Sequence, residues 1–199
     1  MYHLKDRLIP VLKQSLEIGK TFIAKKHQIH SFPTLLLLKG LLFYLHKNKG
    51  YRYIFGQVGL GSSFPRLSAH PVMHIARLHY FDTQYAYLVR SRKKFWVGNY
   101  EHGVFYKIDK PERIYKLERL INLTKPFMCS INSLLKTYIL LNARIIGFNI
   151  NLKNTDLLNG LMLLDLQNVP ESTLLMLDKE FDNIELIQDI TNKVNSRLN

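Results

Sequence analysis

Four stretches decide the fold: SLEIGKTFIAKK (residues 15–26), KHQIHS (26–31), FPTLLLLKGLLFYL (32–45) and YRYIFGQVGL (51–60). The first reads as a strand from Ser15 to Lys25. The two-residue period puts Ile18, Lys20 and Phe22 on one face and Glu17, Gly19 and Thr21 on the other. After the polar turn a helix opens at Phe32-Pro33, since proline's missing N–H costs nothing in a first turn. It runs to about Asn48, where Lys49-Gly50 closes it. Tyr51 to Leu60, aromatic and β-branched, is a second strand. Gly56, Gly59 and Gly61, with Ser62 and Ser63, leave its far end open to a ligand approaching the backbone. A strand leading into a helix N-terminus suits a pyrophosphate, because the first-turn N–H groups and the positive dipole end favour an anion. Lys25, Lys26, His27 and His30 cluster just upstream.

Outward from this unit, Leu4, Leu8 and Leu12 recur at helical spacing and predict a helix over residues 2–14. Residues 65–88 read as helical with a break near Asp82, followed by a loop that carries Arg90, Arg92, Lys93 and Lys94 and ends in Phe95 and Trp96. Helices are expected over 111–123 and 130–141, the latter ending at Asn142 and feeding a strand over 144–150. A polar loop over 151–159 and an apolar strand over 160–166 come next, then helices over 170–181 and 184–198. Alternating strands and helices make the chain α/β, with a mixed sheet flanked by helices and with C-terminal helices.

Lys and Arg number 28 against 15 Asp and Glu, a net charge of +13. This excess points to an anionic partner: acidic carrier protein, anionic lipid headgroups or nucleic acid. Cys129 is the single cysteine, which excludes an intramolecular disulfide and favours a cytoplasmic setting. The apolar run over 33–45 contains Lys39 and falls short of the roughly 20 residues a membrane span needs, so it reads as a core helix. The N-terminus, broken by Asp6, Pro10 and Glu17, lacks the apolar region of a signal peptide. His70 and His74 share the i, i+4 spacing of zinc ligands, but Pro71 interrupts the turn and there is no Glu in the HExxH manner. No metal is expected.

LEIGKTFIAKKHQ, FPTLLLLKGLLFYL, YRYIFGQVGLGSSF, ARIIGFNI and GLMLLDL, in this order, resemble the GNAT-type lipid N-acyltransferases, the hemolysin-like family that includes ornithine and glycine lipid synthases. The resemblance covers nearly the whole chain and implies one acyltransferase-like domain over residues 1–199 that is N-terminally incomplete, since relatives carry further strands upstream. It implies transfer of a fatty acyl group from acyl carrier protein or acyl-CoA to an amino-acid acceptor, with the phosphopantetheine thioester as cosubstrate. It also implies a cytoplasmic protein, peripheral on the inner face of the membrane. A sheet starting at the Glu17 strand leaves one edge unpaired, which invites an oligomer or a partner chain.

In that family two central strands splay apart, the thioester lies in the gap, and a main-chain N–H of the first strand polarises its carbonyl. By resemblance this donor falls between Thr21 and Ala24, so Phe22, Ile23 and Ala24 line the cofactor, with Lys26, Gln28, Ser31, Phe32 and Thr34 in the degenerate phosphate turn. Glu17 is the candidate base or ammonium ligand. Lys20 stands where relatives have Arg and lacks the bidentate fork for a carboxylate. The same residues also read as a surface Glu17–Lys20 pair and an ordinary paired strand. Where relatives carry aspartates, NLKNTDLLNG keeps only Gly160 and the apolar run after it. The basic run Arg90, Arg92, Lys93, Lys94 suits an anionic membrane or carrier protein more than nucleic acid. A second reading stays open beside the enzyme: a non-catalytic basic module binding anionic lipid, carrier protein or nucleic acid.

Overall fold

Ser15–Ile18 (β2) leads through Phe32–Lys47 (α2) to Tyr53–Gly59 (β3), and β2 and β3 pair in parallel in register Ser15↔Tyr53 to Ile18↔Gly56. The computed structural model describes residues 2–19, 21, 24, 32–60, 73–74, 76–92, 133–151 and 157–173. Within them β3 continues into an antiparallel pair with Leu157–Asp165 (β6), which pairs antiparallel with Arg144–Asn151 (β5). The order is β2-β3-β6-β5, a mixed sheet with β2 at one edge. The protein is mixed α/β, and its sheet is covered on both faces.

One face carries α2, the helical residues 76–80 and Ser133–Leu140 (α4). Leu38, Leu42 and Leu45 of α2 meet Ile54 and Val58 of β3 and Leu158, Met162 and Leu164 of β6 in one cluster. A leucine buried in this way contributes about 1.5–3 kcal/mol, so α2 is held by packing. Its end is polar: Asn48 Nδ2 donates to the Tyr44 carbonyl at 2.8 Å. No described glycine has positive φ, so Gly50 does not supply the left-handed stop expected of it. α4 does end on such a stop: Asn142 sits at φ 64°, and the N–H groups of Asn142 and Ala143 donate to the carbonyls of Ile139 and Tyr138, each at 2.9 Å.

The other face carries Tyr2–Leu4 (β1), paired antiparallel with Val89–Ser91 (β4), and Ile9–Lys13 (α1) with the 3₁₀ turn Asp6–Leu8 before it. Leu8, Leu88 and Val89 pack there on Tyr53, Ile146, Leu161 and Leu163. A register shift between Ile145 and Gly147 turns both Ile146 and Gly147 to the β1–β4 side, while Ile145 before them and Phe148 after them face the helices. Gly147 is required beneath β4, since a Cβ there would lie 2.7 Å from Val89 Cγ1.

Several sequence expectations are corrected. The helix over 2–14 is a strand, a 3₁₀ turn and a short helix, because Pro10 fits only at the start of α1 and Tyr2–Leu4 finds a partner in β4. Arg90 lies in that strand β4, not in a loop. The first central strand stops at Ile18 instead of Lys25: Gly19, Thr21 and Ala24 lie outside it. β6 begins at Leu157, so Asn159 is a strand residue and not part of a loop. The break at Asp82 is present, its carboxylate accepting from Gln84 and Tyr85 N–H to cap Thr83–Ala86 (α3). The expected helix over 111–123 and the one over 184–198 lie outside the described residues, as does most of that over 170–181.

Candidate functional site

The parallel ladder ends at Ile18↔Gly56, yet β3 runs on through Gln57, Val58 and Gly59, paired with β6 alone. Among the described residues nothing pairs with those three on the β2 side, and Gly19 is exposed with open space where a Cβ would stand. Gly56 sets the closing point. A Cβ on it would lie 2.5 Å from the Ile18 carbonyl oxygen, so only glycine allows this last close approach. This last pair lies at the C-terminal end of β2, the end from which the chain leaves for the start of α2.

Side-chain parity assigns residues to the two faces of this opening. Leu16 and Ile18 pack toward the helical cluster, so Glu17 faces the β1–β4 side, opposite Phe55, and is exposed. Gln57, half-buried, follows on that face one strand over and two residues along, about 8 Å from Glu17 at the Cα positions. The next row is Gly59, Asn159 and Asn149. Asn149 and Asn159 are the two buried polar side chains among the described residues, 5% and 6% exposed. Ser91 Oγ donates to Asn149 Oδ1 at 2.9 Å, and the Tyr2 hydroxyl points at the Asn159 carbonyl at 3.5 Å. Burial raises the Tyr2 hydroxyl far above its ordinary range, which keeps it a neutral donor. The far end of this face therefore carries neutral hydrogen-bonding groups buried beneath β1 and β4, while Glu17 stands exposed on the edge strand of the same face.

Of the residues singled out from sequence, Glu17, Thr21 and Ala24 are exposed at or just beyond the end of β2. Phe32 and Thr34 lie in the first turn of α2. Lys20, Phe22, Ile23, Lys26, Gln28, Ser31, Lys93 and Lys94 lie outside the described residues, as do Cys129 and His70. Arg90 and Arg92 are exposed at β4, where Arg92 Nε donates to the Tyr2 carbonyl at 2.9 Å. They belong to the layer opposite α2. Among the described residues no group of three or more His, Cys, Asp or Glu is placed to hold a metal ion.

Sequence reasoning missed Gln57, Ser91, Asn149 and Asn159. Two of them carried a signal: an asparagine interrupts each of the otherwise apolar strands ARIIGFNI and NGLMLL, and a polar residue in such a run needs a buried partner. Comparison of the chain with protein-family models, curated proteins and solved structures returns no match.

Proposed function

We propose that the chain is a GNAT-like N-acyltransferase domain that moves a fatty acyl group from the thioester of acyl carrier protein or coenzyme A to the amine of an amino acid. One observation carries the reading: a parallel strand pair, joined through α2, whose ladder stops at Ile18↔Gly56 while β3 continues. A thioester laid in that opening meets main-chain N–H groups beyond the last pair, in the Thr21–Ala24 region. Its phosphates run toward the first turn of α2 at Phe32 and Thr34, where unpaired helical N–H groups favour anions. The order β2-β3-β6-β5, a parallel pair continued by two antiparallel strands, fits the same proposal.

In this reading the amine attacks the thioester carbonyl carbon, the new C–N bond forms and the C–S bond breaks. The sulfur leaves as thiolate and takes up a proton, and the ammonium proton passes to Glu17 or to water. Glu17 suits that work because it is exposed on the face opposite the helices. The oxyanion is held by main-chain donors, the kind of preorganised contact worth the most in acyl transfer.

The test is transfer of a radiolabelled acyl group from acyl carrier protein to ornithine or glycine, with the product identified by mass spectrometry. Glu17→Gln is expected to lower kcat by about 10²–10⁴ with little change in thioester affinity. If the wild-type chain forms no acyl-amino acid yet sediments with anionic vesicles, the alternative holds: a basic binding module, the reading favoured by the +13 charge.

A further inference from the structure

α2 is apolar on two sides. Its inner side, Leu38, Leu42 and Leu45, is spent on the sheet. Half a turn away stand Leu36, Leu37, Phe43 and Tyr44, 51%, 46%, 52% and 44% exposed. At 100° per residue these four, with Gly40 and Lys47, form one outward stripe running about 12 Å along the helix axis from Leu36 to Tyr44. A helix that is apolar all round belongs where both sides are covered, and a contiguous exposed stripe of large apolar side chains marks a binding surface. Leu140 of α4 and Leu78, 48% and 50% exposed, are in the same layer.

The charge of this stretch of sequence, and of the end of α2, favours an anionic cover for the stripe. Between Glu17 and Asp82 the chain has no Asp or Glu and nine Lys or Arg. Lys47 and Lys49 are exposed at the C-terminal end of α2, and Lys47 Nζ sits 5.6 Å from the centre of the Phe43 ring. The Lys47 ammonium thus lies over a ring of the stripe itself, so cationic and apolar groups share this face. The outside of a helix is convex and needs no complementary groove. Leucines, a phenylalanine and a tyrosine flanked by lysines fit a bilayer interface, with the rings at acyl-chain depth and the cations on anionic headgroups. No helix among the described residues is long and apolar enough to cross a membrane, so the contact lies in the interface plane.

We propose that the outward face of α2 lies on an anionic lipid surface. The contact stands on α2 by itself. Its consequence rests on the acyl-transfer reading: the strand opening at Ile18↔Gly56, at the end of the sheet where α2 starts, would then sit beside the surface from which a lipid product departs.

Sedimentation with vesicles of phosphatidylcholine alone, and with about 30 mol% phosphatidylglycerol added, tests it without any reference to activity. The chain is expected to pellet with the anionic vesicles and hardly with the neutral ones. The double variant L36S/F43S should lower the partition coefficient by at least about tenfold at unchanged far-UV circular dichroism. R7Q/K13Q, which removes two exposed cations on the opposite layer, should leave it within about twofold. Phe43→Trp reports insertion directly and does not rely on a loss: brominated lipid should quench its fluorescence beyond the quenching seen in the wild type, which has Trp96 alone. Absence of binding to anionic vesicles, equal binding by L36S/F43S, or no added quenching of Phe43→Trp would each overturn the proposal. So would binding of acyl carrier protein, dependent on Leu36 and Phe43, by a chain that ignores vesicles. A chain that binds vesicles through α2 but transfers no acyl group keeps this inference and loses the proposed reaction.

Discussion

Gly56→Ala tests the geometry on which the candidate site depends. The added Cβ would stand 2.5 Å from the Ile18 carbonyl oxygen, whereas ordinary contact begins near 3.4 Å. The neighbour is backbone, so no rotamer change relieves the clash and β2 must move off by roughly 0.9 Å. Overpacking of this kind costs about 1–3 kcal/mol, and a weakened terminal ladder bond adds up to about 1 kcal/mol. Ala regains about 0.5–1 kcal/mol over Gly in strand entropy. The net expectation is a loss of about 2 kcal/mol, or about 4–8 °C in Tm for a chain of this length. Gly40→Ala is the matched control. Gly40 is exposed inside α2 with nothing within 4 Å of the new methyl, so the change should stabilise by about 0.5–1 kcal/mol. Urea unfolding at equal m-values reads both, and hydrogen exchange at residues 15–19 should rise in Gly56→Ala alone. If Gly56→Ala falls within about 0.5 kcal/mol of wild type, or both substitutions shift stability the same way, the close approach of β2 to β3 is not as described and the opening beyond it loses its basis.

Asp165→Ala removes a bidentate pair, Arg52 Nε and Nη2 to Oδ1 and Oδ2 at 3.1 and 2.7 Å, and the cap that Asp165 provides for the Gln167 N–H. Hydrogen bonding to Asp165 holds the Arg52 guanidinium pKa above its ordinary value, but a third of that side chain is exposed, so screening keeps the expected loss near about 2 kcal/mol; the part due to the ion pair should shrink in high salt, as thermal melts would read. The Tyr138 hydroxyl, 5% exposed as a residue, is pushed by burial up to about 12. The folded state keeps a proton that the unfolded chain releases above pH 10, so this contribution is whole below pH 10 and is lost between pH 10 and 12, up to about 2–3 kcal/mol. Tyr138→Phe should flatten that part of the stability profile in denaturant titrations, and an unchanged slope would show that Tyr138 ionises freely in the fold.

Much of the architecture was legible because it depends on neighbours along the chain. Pro33 opens a helix, Asp82 caps one, Asn142 adopts the left-handed stop, and the aromatic and β-branched run after Arg52 makes a strand; each is settled within a few residues. Tertiary structure decided what local chemistry leaves open. Tyr2–Leu4 is a strand only because Val89–Ser91 lies beside it, a partner some ninety residues away that overrides the leucine spacing. β2 ends at Ile18 although β3 runs on to Gly59, and no residue between Gly19 and Lys25 announces that. Asn159 became a buried strand residue through its pairing with Asn149, with Ser91 reaching Asn149 from a third strand. The two apolar sides of α2 are plain in the sequence, but which of them meets the sheet and which is left outward depends on the orientation of the whole helix over β3 and β6. Capping and periodicity act over one or two turns of chain, whereas register, strand ends and exposed faces follow from contacts that exist only once distant segments have come together.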